Sequence, residues 1–94
     1  MESDEFEWDD GKAAENHAKH GVRFAAARYV FKDPFAIERL DERVHYGEER
    51  YVIIGMVEGR LLAVVYTMRD DVIRIISARG AEPSEQREYH EDNR

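Results

Sequence analysis

The chain has 94 residues, of which 43% are hydrophobic and 37% are charged, and its formal net charge at pH 7 is −7. This length favours one domain over two, and the composition excludes both a disordered polymer and a typical membrane protein. The absence of cysteine excludes disulfide scaffolds, thiolate zinc sites and cysteine nucleophiles.

The first third of the chain is predicted to form a short strand followed by two helices. Residues 6–8 alternate apolar and polar side chains, as a strand does, and Asp9-Asp10-Gly11 then provides a turn and an N-cap for the first helix. Residues 12–20 consist largely of good helix formers and are followed by Gly21, a residue type that favours a left-handed C-terminal cap. Apolar side chains at positions 24, 27, 30 and 31 recur at helical spacing, and Asp33-Pro34 then ends this second helix.

The middle of the chain is predicted to form an antiparallel sheet. Residues 35–40 alternate apolar and polar side chains, which indicates a strand with one wet face. Residues 51–54 and 61–67 are β-branched or aromatic runs separated by a Glu58-Gly59 turn, so they are predicted to form a hairpin. Residues 72–78 are almost continuously apolar, which favours a central or doubly covered strand.

A helix is predicted after the last strand. Pro83 suits the first turn of a helix, Tyr89 is the residue expected to dock it, and the last few residues are expected to fray. Because the helices are segregated from a run of strands, the order predicts an α+β fold. It comprises a mostly antiparallel sheet of four to five strands, two N-terminal helices and one C-terminal helix.

The charges are distributed unevenly along the chain. Residues 1–10 contain six acids and no base, and residues 82–94 contain five acids and two arginines, so the body between them is mildly basic. This allows an anionic ligand but lacks the broad positive field of a dedicated nucleic-acid binder. No apolar run approaches the roughly 18 residues of a transmembrane helix, and the acidic N-terminus is unlike a signal peptide. We therefore expect a cytoplasmic protein without a membrane partner.

Short segments along most of the chain carry a family resemblance. In order, they are FEWD at 6–9, KAAEN at 12–16, KHGV at 19–22, VF at 30–31 before DP, GEERY at 47–51, VVYT at 64–67 and IISAR at 75–79. Together, in this order and spacing, they resemble the BrnT toxins of bacterial type II toxin–antitoxin systems, a branch of the RelE-like ribonuclease superfamily. The segment IISAR resembles the family's strongest motif.

The resemblance implies a RelE-like fold and a single toxin domain over residues 1–94. It also implies an endoribonuclease that cleaves RNA without a metal ion or cofactor, and that inhibits translation and growth until an antitoxin binds it. The expected partners are the RNA substrate and a cognate BrnA-like antitoxin in a hetero-oligomer, with DNA contacted only through the antitoxin. Two departures stand out: Arg23 replaces a small helix-capping residue, and residues 80–86 are less basic than usual in the family.

Arg79 is the first candidate catalytic residue. Metal-independent RNA cleavage needs positive charge on the developing phosphorane, and a guanidinium binds phosphate oxygens bidentately and stays charged. Arg79 ends the last strand, where a rigid sheet would hold it, and it lies in the IISAR motif. The alternatives are a salt bridge to Glu85 or Glu88 of the last helix, or a contact with the antitoxin.

Three further arginines are weighed against Arg79. Arg50 and Arg69 lie near predicted strand ends, and Arg50, in the GEERY segment, ranks second as a catalytic candidate. Arg74 precedes Arg79 by five positions on one strand, so strict alternation puts the two on opposite faces unless a bulge intervenes. We expect Arg74 to be a partly exposed charge without a catalytic role.

His45 is the candidate acid or base, because it lies in the polar loop before the hairpin and histidine titrates near neutral pH. Simple solvation is its alternative, and Glu49 could act as a base beside it. His20 is interpreted as structural, at a helix C-terminus where it meets the last carbonyls. His17 and His20 are three positions apart, but no third ligand is evident, so no metal is predicted.

Tyr66, Tyr89 and Arg69 are the candidate RNA-binding residues. Unpaired bases stack on aromatic rings, although packing in the core is the alternative for both tyrosines. The rival function is a non-catalytic or degenerate member that only binds an antitoxin-like protein, and the acidic ends favour it. Salt separates the two functions, because phosphate binding weakens steeply as salt rises and an apolar protein interface does not.

Overall fold

The chain folds into a five-stranded sheet with three α-helices over residues 5–43 and 47–94, the residues that this computed structural model describes. In chain order the elements are β1 (Phe6–Glu7), α1 (Asp10–His20), α2 (Phe24–Ala27), a 3-10 helix (Arg28–Lys32), β2 (Ile37–Asp41), β3 (Arg50–Val57), β4 (Arg60–Arg69), β5 (Val72–Gly80) and α3 (Pro83–Asp92). The strand order is β1-β5-β4-β3-β2, and every pair is antiparallel except β1 with β5. The predicted α+β fold is confirmed.

The helix α1 has the ends that its sequence predicts. The Asp9 carboxylate accepts a hydrogen bond from the backbone N–H of Lys12 at 2.9 Å, and Gly21 adopts the left-handed conformation at φ 69°. The second predicted helix is shorter than expected, because α2 passes into the 3-10 helix after Ala27. Arg23 provides no side-chain cap at its start, and the approach to Pro34 favours a tightened last turn.

The two faces of the sheet are covered differently. The inner face, which includes Ile53, Val64 and Ile75, packs against α1, α2 and the 3-10 helix in the larger core cluster. The outer face, which includes Val52 and Val65, forms a smaller cluster with Tyr89 of α3. The predicted docking of the last helix through Tyr89 is therefore confirmed.

A side chain of α1 forms hydrogen bonds with the part of β5 that β1 leaves unpaired. β1 pairs with only two residues of β5, up to Arg74. Further along this edge, the buried Asn16 amide accepts a hydrogen bond from the Ala78 N–H at 3.0 Å and donates to the Ala78 carbonyl at 2.8 Å. Asn16 also donates to the carbonyl of Val22 at 3.0 Å. These bonds fix the last turns of α1 beside the residue that precedes Arg79.

A bulge in β5 changes which side chains share a face. Val65 of β4 pairs with Ser77, and the next residue, Tyr66, pairs with Ile75, so Ile76 is an extra residue on β5. Thr67 and Ala63, which share one face of β4, pair with Arg74 and Arg79 respectively. The bulge is the exception to strict alternation that the sequence left open, so Arg74 and Arg79 both belong to the outer face.

Gly55 of β3 is needed for the close approach of the 3-10 helix. A Cβ atom at this position would lie 3.1 Å from the Val30 carbonyl oxygen and 3.2 Å from the Val30 Cβ. We expect Gly55→Ala to lower the free energy of unfolding by about 1–2 kcal/mol, because the packed helix must shift. Urea denaturation measures this, with Gly11→Ala in α1 as the control. A Cβ atom at Gly11 would lie 3.2 Å from Oδ1 of Asp9, an exposed side chain that can shift, so the control should lose less stability than Gly55→Ala. Equal stability of Gly55→Ala and the wild type would contradict the prediction.

Candidate functional site

A groove of about 660 Å³ opens on the outer face between the end of α1, strands β2 and β5, and α3. Its lining consists of four cationic side chains, four carboxylates, a histidine, two serines and two valines: Lys19, Arg39, Arg43, Arg79, Asp41, Glu82, Glu85, Glu88, His20, Ser77, Ser84, Val52 and Val65. The valines belong to the sheet, so the polar groups surround an apolar floor.

Arg79 and Arg39 converge on one buried carboxylate, that of Glu85. Arg79 binds Glu85 bidentately, with Nη1–Oε1 and Nη2–Oε2 distances of 2.7 and 3.0 Å, and Arg39 Nη2 donates to Oε2 at 3.1 Å. The predicted alternative for Arg79, a salt bridge to the last helix, is thus present. Burial acts to raise the pKa of Glu85, but hydrogen bonds from Arg79 and from the backbone of Glu82 outweigh it and lower the pKa to about 2.

A second ion pair lies at the end of β2 in the same groove. The guanidinium of Arg43 donates to both carboxylate oxygens of the buried Asp41, with the shortest contact, Nη2–Oδ2, at 2.6 Å. This hydrogen bonding raises the pKa of Arg43. The Arg43 side chain is 72% exposed, so one side of its guanidinium remains open to an anionic ligand.

Arg50 and Arg69, predicted separately, meet at one carboxylate elsewhere on the outer face. Arg50 Nε lies 2.9 Å from Glu48 Oε2, and Arg69 Nη2 lies 3.4 Å from Glu48 Oε1. The hydrogen bond from Arg50 is the main cause of the lowered pKa of Glu48. Arg74, on the same face, is 3.6 Å from Glu7. The structure therefore supports a cluster of arginines on one face of the sheet, each held by an acid.

The two predicted RNA-binding tyrosines lie outside the groove. Tyr66 is buried on the inner face, where its ring contacts Phe31 edge-on at 5.0 Å and its hydroxyl donates to Glu38. Tyr89 is buried under α3 and donates to Asp33 Oδ2 at 2.7 Å. Burial is the main cause of the raised pKa of both, to about 12 for Tyr89. Packing, the alternative for both, describes these environments, and their contact with RNA stays a prediction.

His45 lies outside the described residues. The groove contains Lys19, His20, Arg39 and Arg43, none of which the sequence singled out as functional. The KHGV segment was the one signal for Lys19 and His20, whereas the position of Arg39 depends on how β2 pairs with β3, which a single sequence does not reveal. Lys19 makes no ion pair with any residue in 5–43 or 47–94.

The groove is electrically balanced at neutral pH. Its four cations, Lys19, Arg39, Arg43 and Arg79, are matched by the carboxylates of Asp41, Glu82, Glu85 and Glu88. Three of these four acids belong to α3 or its N-cap. An anionic ligand would therefore be attracted by individual guanidinium groups and not by a strong overall positive field.

Most of the chain matches the model of a known protein family. The family model described as "Ribonuclease toxin, BrnT, of type II toxin-antitoxin system" matches residues 8–85. That span includes Arg79 and Glu85 of the groove but leaves out Glu88 and Tyr89. A search of curated proteins found no match. Among the described residues, no three His, Asp or Glu side chains are grouped as a metal site requires, and no helix is long and apolar enough to cross a membrane.

Proposed function

Since the chain belongs to the BrnT family, the ribonuclease toxins of type II toxin–antitoxin systems, we propose that it cleaves RNA in this groove without a metal ion. In this proposal residues 1–94 act as one domain in the cytoplasm, where RNA cleavage stops translation and growth until a BrnA-like antitoxin binds. The observation that carries the proposal is the convergence of Arg39 and Arg79 on a single anion, the Glu85 carboxylate.

Arginine pairs that bind a carboxylate suit a phosphate as well. A guanidinium presents parallel N–H donors that match two oxygens of either anion. Arg39 keeps 47% of its side chain exposed and Arg79 keeps 30%, whereas Glu85 is 5% exposed. An RNA phosphate would therefore approach the exposed edges of the two guanidinium groups, while Glu85 holds their orientation from behind.

The chemistry that these groups support is attack by the ribose 2′-oxygen on the adjacent phosphorus. The 2′-O–P bond forms as the P–O5′ bond breaks, which yields a 2′,3′-cyclic phosphate and a 5′-hydroxyl. Positive charge from Arg39 and Arg79 would stabilise the phosphorane oxygens, where negative charge accumulates. We propose that Arg50 and Arg69, which both bind Glu48 on the same face of the sheet, contact RNA outside the groove.

The arginines of the outer face suit an antitoxin partner that carries acidic groups. The family implies an antitoxin, and we propose a BrnA-like protein that places acidic groups against the arginines and blocks the groove at the same time. DNA would then be contacted through the antitoxin alone. The matched charges of the groove favour the second candidate function, a non-catalytic module that binds only such a protein. Steep loss of RNA affinity with salt favours the first candidate, and weak dependence the second.

Induction of the chain in bacteria tests the toxin function. We expect the wild type to stop growth and degrade RNA, and co-expression of the neighbouring gene to relieve both effects. Arg79→Ala in a Glu85→Gln background should no longer stop growth, because the guanidinium is lost. The Glu85→Gln background avoids leaving a buried carboxylate unpaired. Glu85→Gln alone is the matched control and should be more toxic than the double variant at equal soluble levels. Normal growth and intact RNA with abundant folded wild type would favour the non-catalytic module.

A further inference from the structure

We infer that His20 is the general base of the RNA cleavage proposed above, and that it accepts the 2′-hydroxyl proton of RNA bound at Arg79. This inference rests on the proposed function. His20 is the last residue of α1, is partly buried and lines the same groove as Arg79. The sequence alone favoured a structural role for it at the helix end.

The position of His20 relative to Arg79 is set by Asn16. Residues four apart lie on the same side of a helix, so Asn16 and His20 occupy successive turns of one side of α1. Asn16 exchanges two hydrogen bonds with the backbone of Ala78, the neighbour of Arg79. The imidazole and the guanidinium are therefore presented by two rigid elements that a buried side chain joins, which is the arrangement that precise catalytic geometry needs.

The other histidines that the structure describes lie elsewhere. His17 lines a separate cavity with Arg23 and Arg60. His90 packs edge-on against Tyr89, with ring centroids 5.4 Å apart. Within residues 5–43 and 47–94, His20 is the histidine that shares the groove with Arg79. The charged groups that face the groove with it are Lys19, Arg39, Arg43, Arg79, Asp41, Glu82, Glu85 and Glu88.

The proposed step starts from a neutral imidazole, and every proton that is released has an acceptor. His20 takes the proton of the 2′-hydroxyl as the 2′-oxygen bonds to phosphorus, and the departing 5′-oxygen takes a proton from water. The imidazolium then returns its proton to solvent. Histidine suits this step because its ordinary pKa lies close to neutral pH.

The test compares His20→Asn with His17→Asn, a matched change on the same helix, on a short single-stranded RNA in EDTA. We expect kcat to fall roughly 100-fold or more in His20→Asn, with KM changed less than threefold. The wild-type rate should fall in acid, where an imidazole base is protonated, and this fall should be absent from the residual rate of the variant. His17→Asn should behave as the wild type.

A second variant separates a catalytic role from a structural one. His20→Gly opens space at the helix end, so added imidazole should restore part of its cleavage rate, whereas a merely structural residue would show no such rescue. His20→Asn activity within threefold of wild type, or a His20→Gly defect that imidazole leaves unchanged, would overturn the inference while the ribonuclease function stands. A folded wild type that cleaves no RNA would overturn both.

Discussion

Replacing Asn16 by leucine is expected to lower the free energy of unfolding by about 3–4 kcal/mol. Asn16 is 8% exposed, and its amide makes three hydrogen bonds to the backbone, two with Ala78 and one with Val22. Leucine has a similar volume but cannot form a hydrogen bond with any of these backbone groups. Each buried backbone group left without a partner costs roughly 1–3 kcal/mol, so the sum is a large part of the stability of a small domain.

Urea denaturation of the purified protein measures this loss. Ala14→Leu is the control, because Ala14 is exposed on the same helix and leucine has high helix propensity. Asn16→Asp should be at least as damaging as Asn16→Leu, since it keeps an acceptor for the Ala78 N–H but directs a carboxylate at two carbonyls. A loss below about 1 kcal/mol for Asn16→Leu would mean that α1 is held to β5 by other contacts.

Glu85→Ala is the second large expected loss, of about 3 kcal/mol. Its carboxylate is the common partner of Arg79 and Arg39, and it also accepts the Glu82 N–H at 2.8 Å at the start of α3. Removing one member of a buried pair costs about 3–5 kcal/mol, and we expect less here because both arginines are partly exposed. The lost cap adds roughly 1 kcal/mol. Glu85→Gln should lose less, because its amide oxygen can still accept the cap bond.

The same carboxylate predicts the acid sensitivity of the fold. The pKa of Glu85 is lowered to about 2 from an ordinary 4.5. As the pH falls, the Glu85 carboxylate therefore takes up a proton in the unfolded chain before it does so in the folded protein. The stabilisation is therefore fully present above about pH 4.5 and is lost as pH falls towards 2, by on the order of 3 kcal/mol. Urea denaturation from pH 7 to 2.5 should give a shallower decline for Glu85→Gln than for wild type. Parallel declines would contradict this assignment.

The elements that the sequence predicts well are those with local signals. The Asp9 cap and Gly21 bound α1, and Glu58-Gly59 forms the turn between β3 and β4. Long-range features had no such signal. The parallel pairing of β1 with β5 joins residues far apart in the chain, and the extra residue Ile76 is invisible in an apolar run. The 3-10 helix has the same apolar spacing as a short α-helix.

The candidate site was predictable only in part, for the same reason. Arg79 was identified because it lies in the IISAR motif, and its salt bridge to Glu85 was among the alternatives. Arg39 was missed because its place beside Arg79 depends on the pairing of β2 with β3 and on the docking of α3. His20 was assigned to a helix end, since nothing in the local sequence shows that Asn16 brings this end to Ala78.

RNA cleavage at the groove is tested most directly with the purified chain and a short single-stranded RNA in EDTA. We expect the wild type to produce 2′,3′-cyclic phosphate and 5′-hydroxyl ends. Glu85→Gln should cleave more slowly than the wild type, because the guanidinium groups lose the carboxylate that orients them. Arg79→Ala in the Glu85→Gln background should be slower than Glu85→Gln alone by about 100-fold or more, because the phosphorane loses a guanidinium. A folded wild type that leaves RNA intact, or Arg79→Ala cleavage equal to that of Glu85→Gln alone, would contradict the assignment of RNA cleavage to this groove.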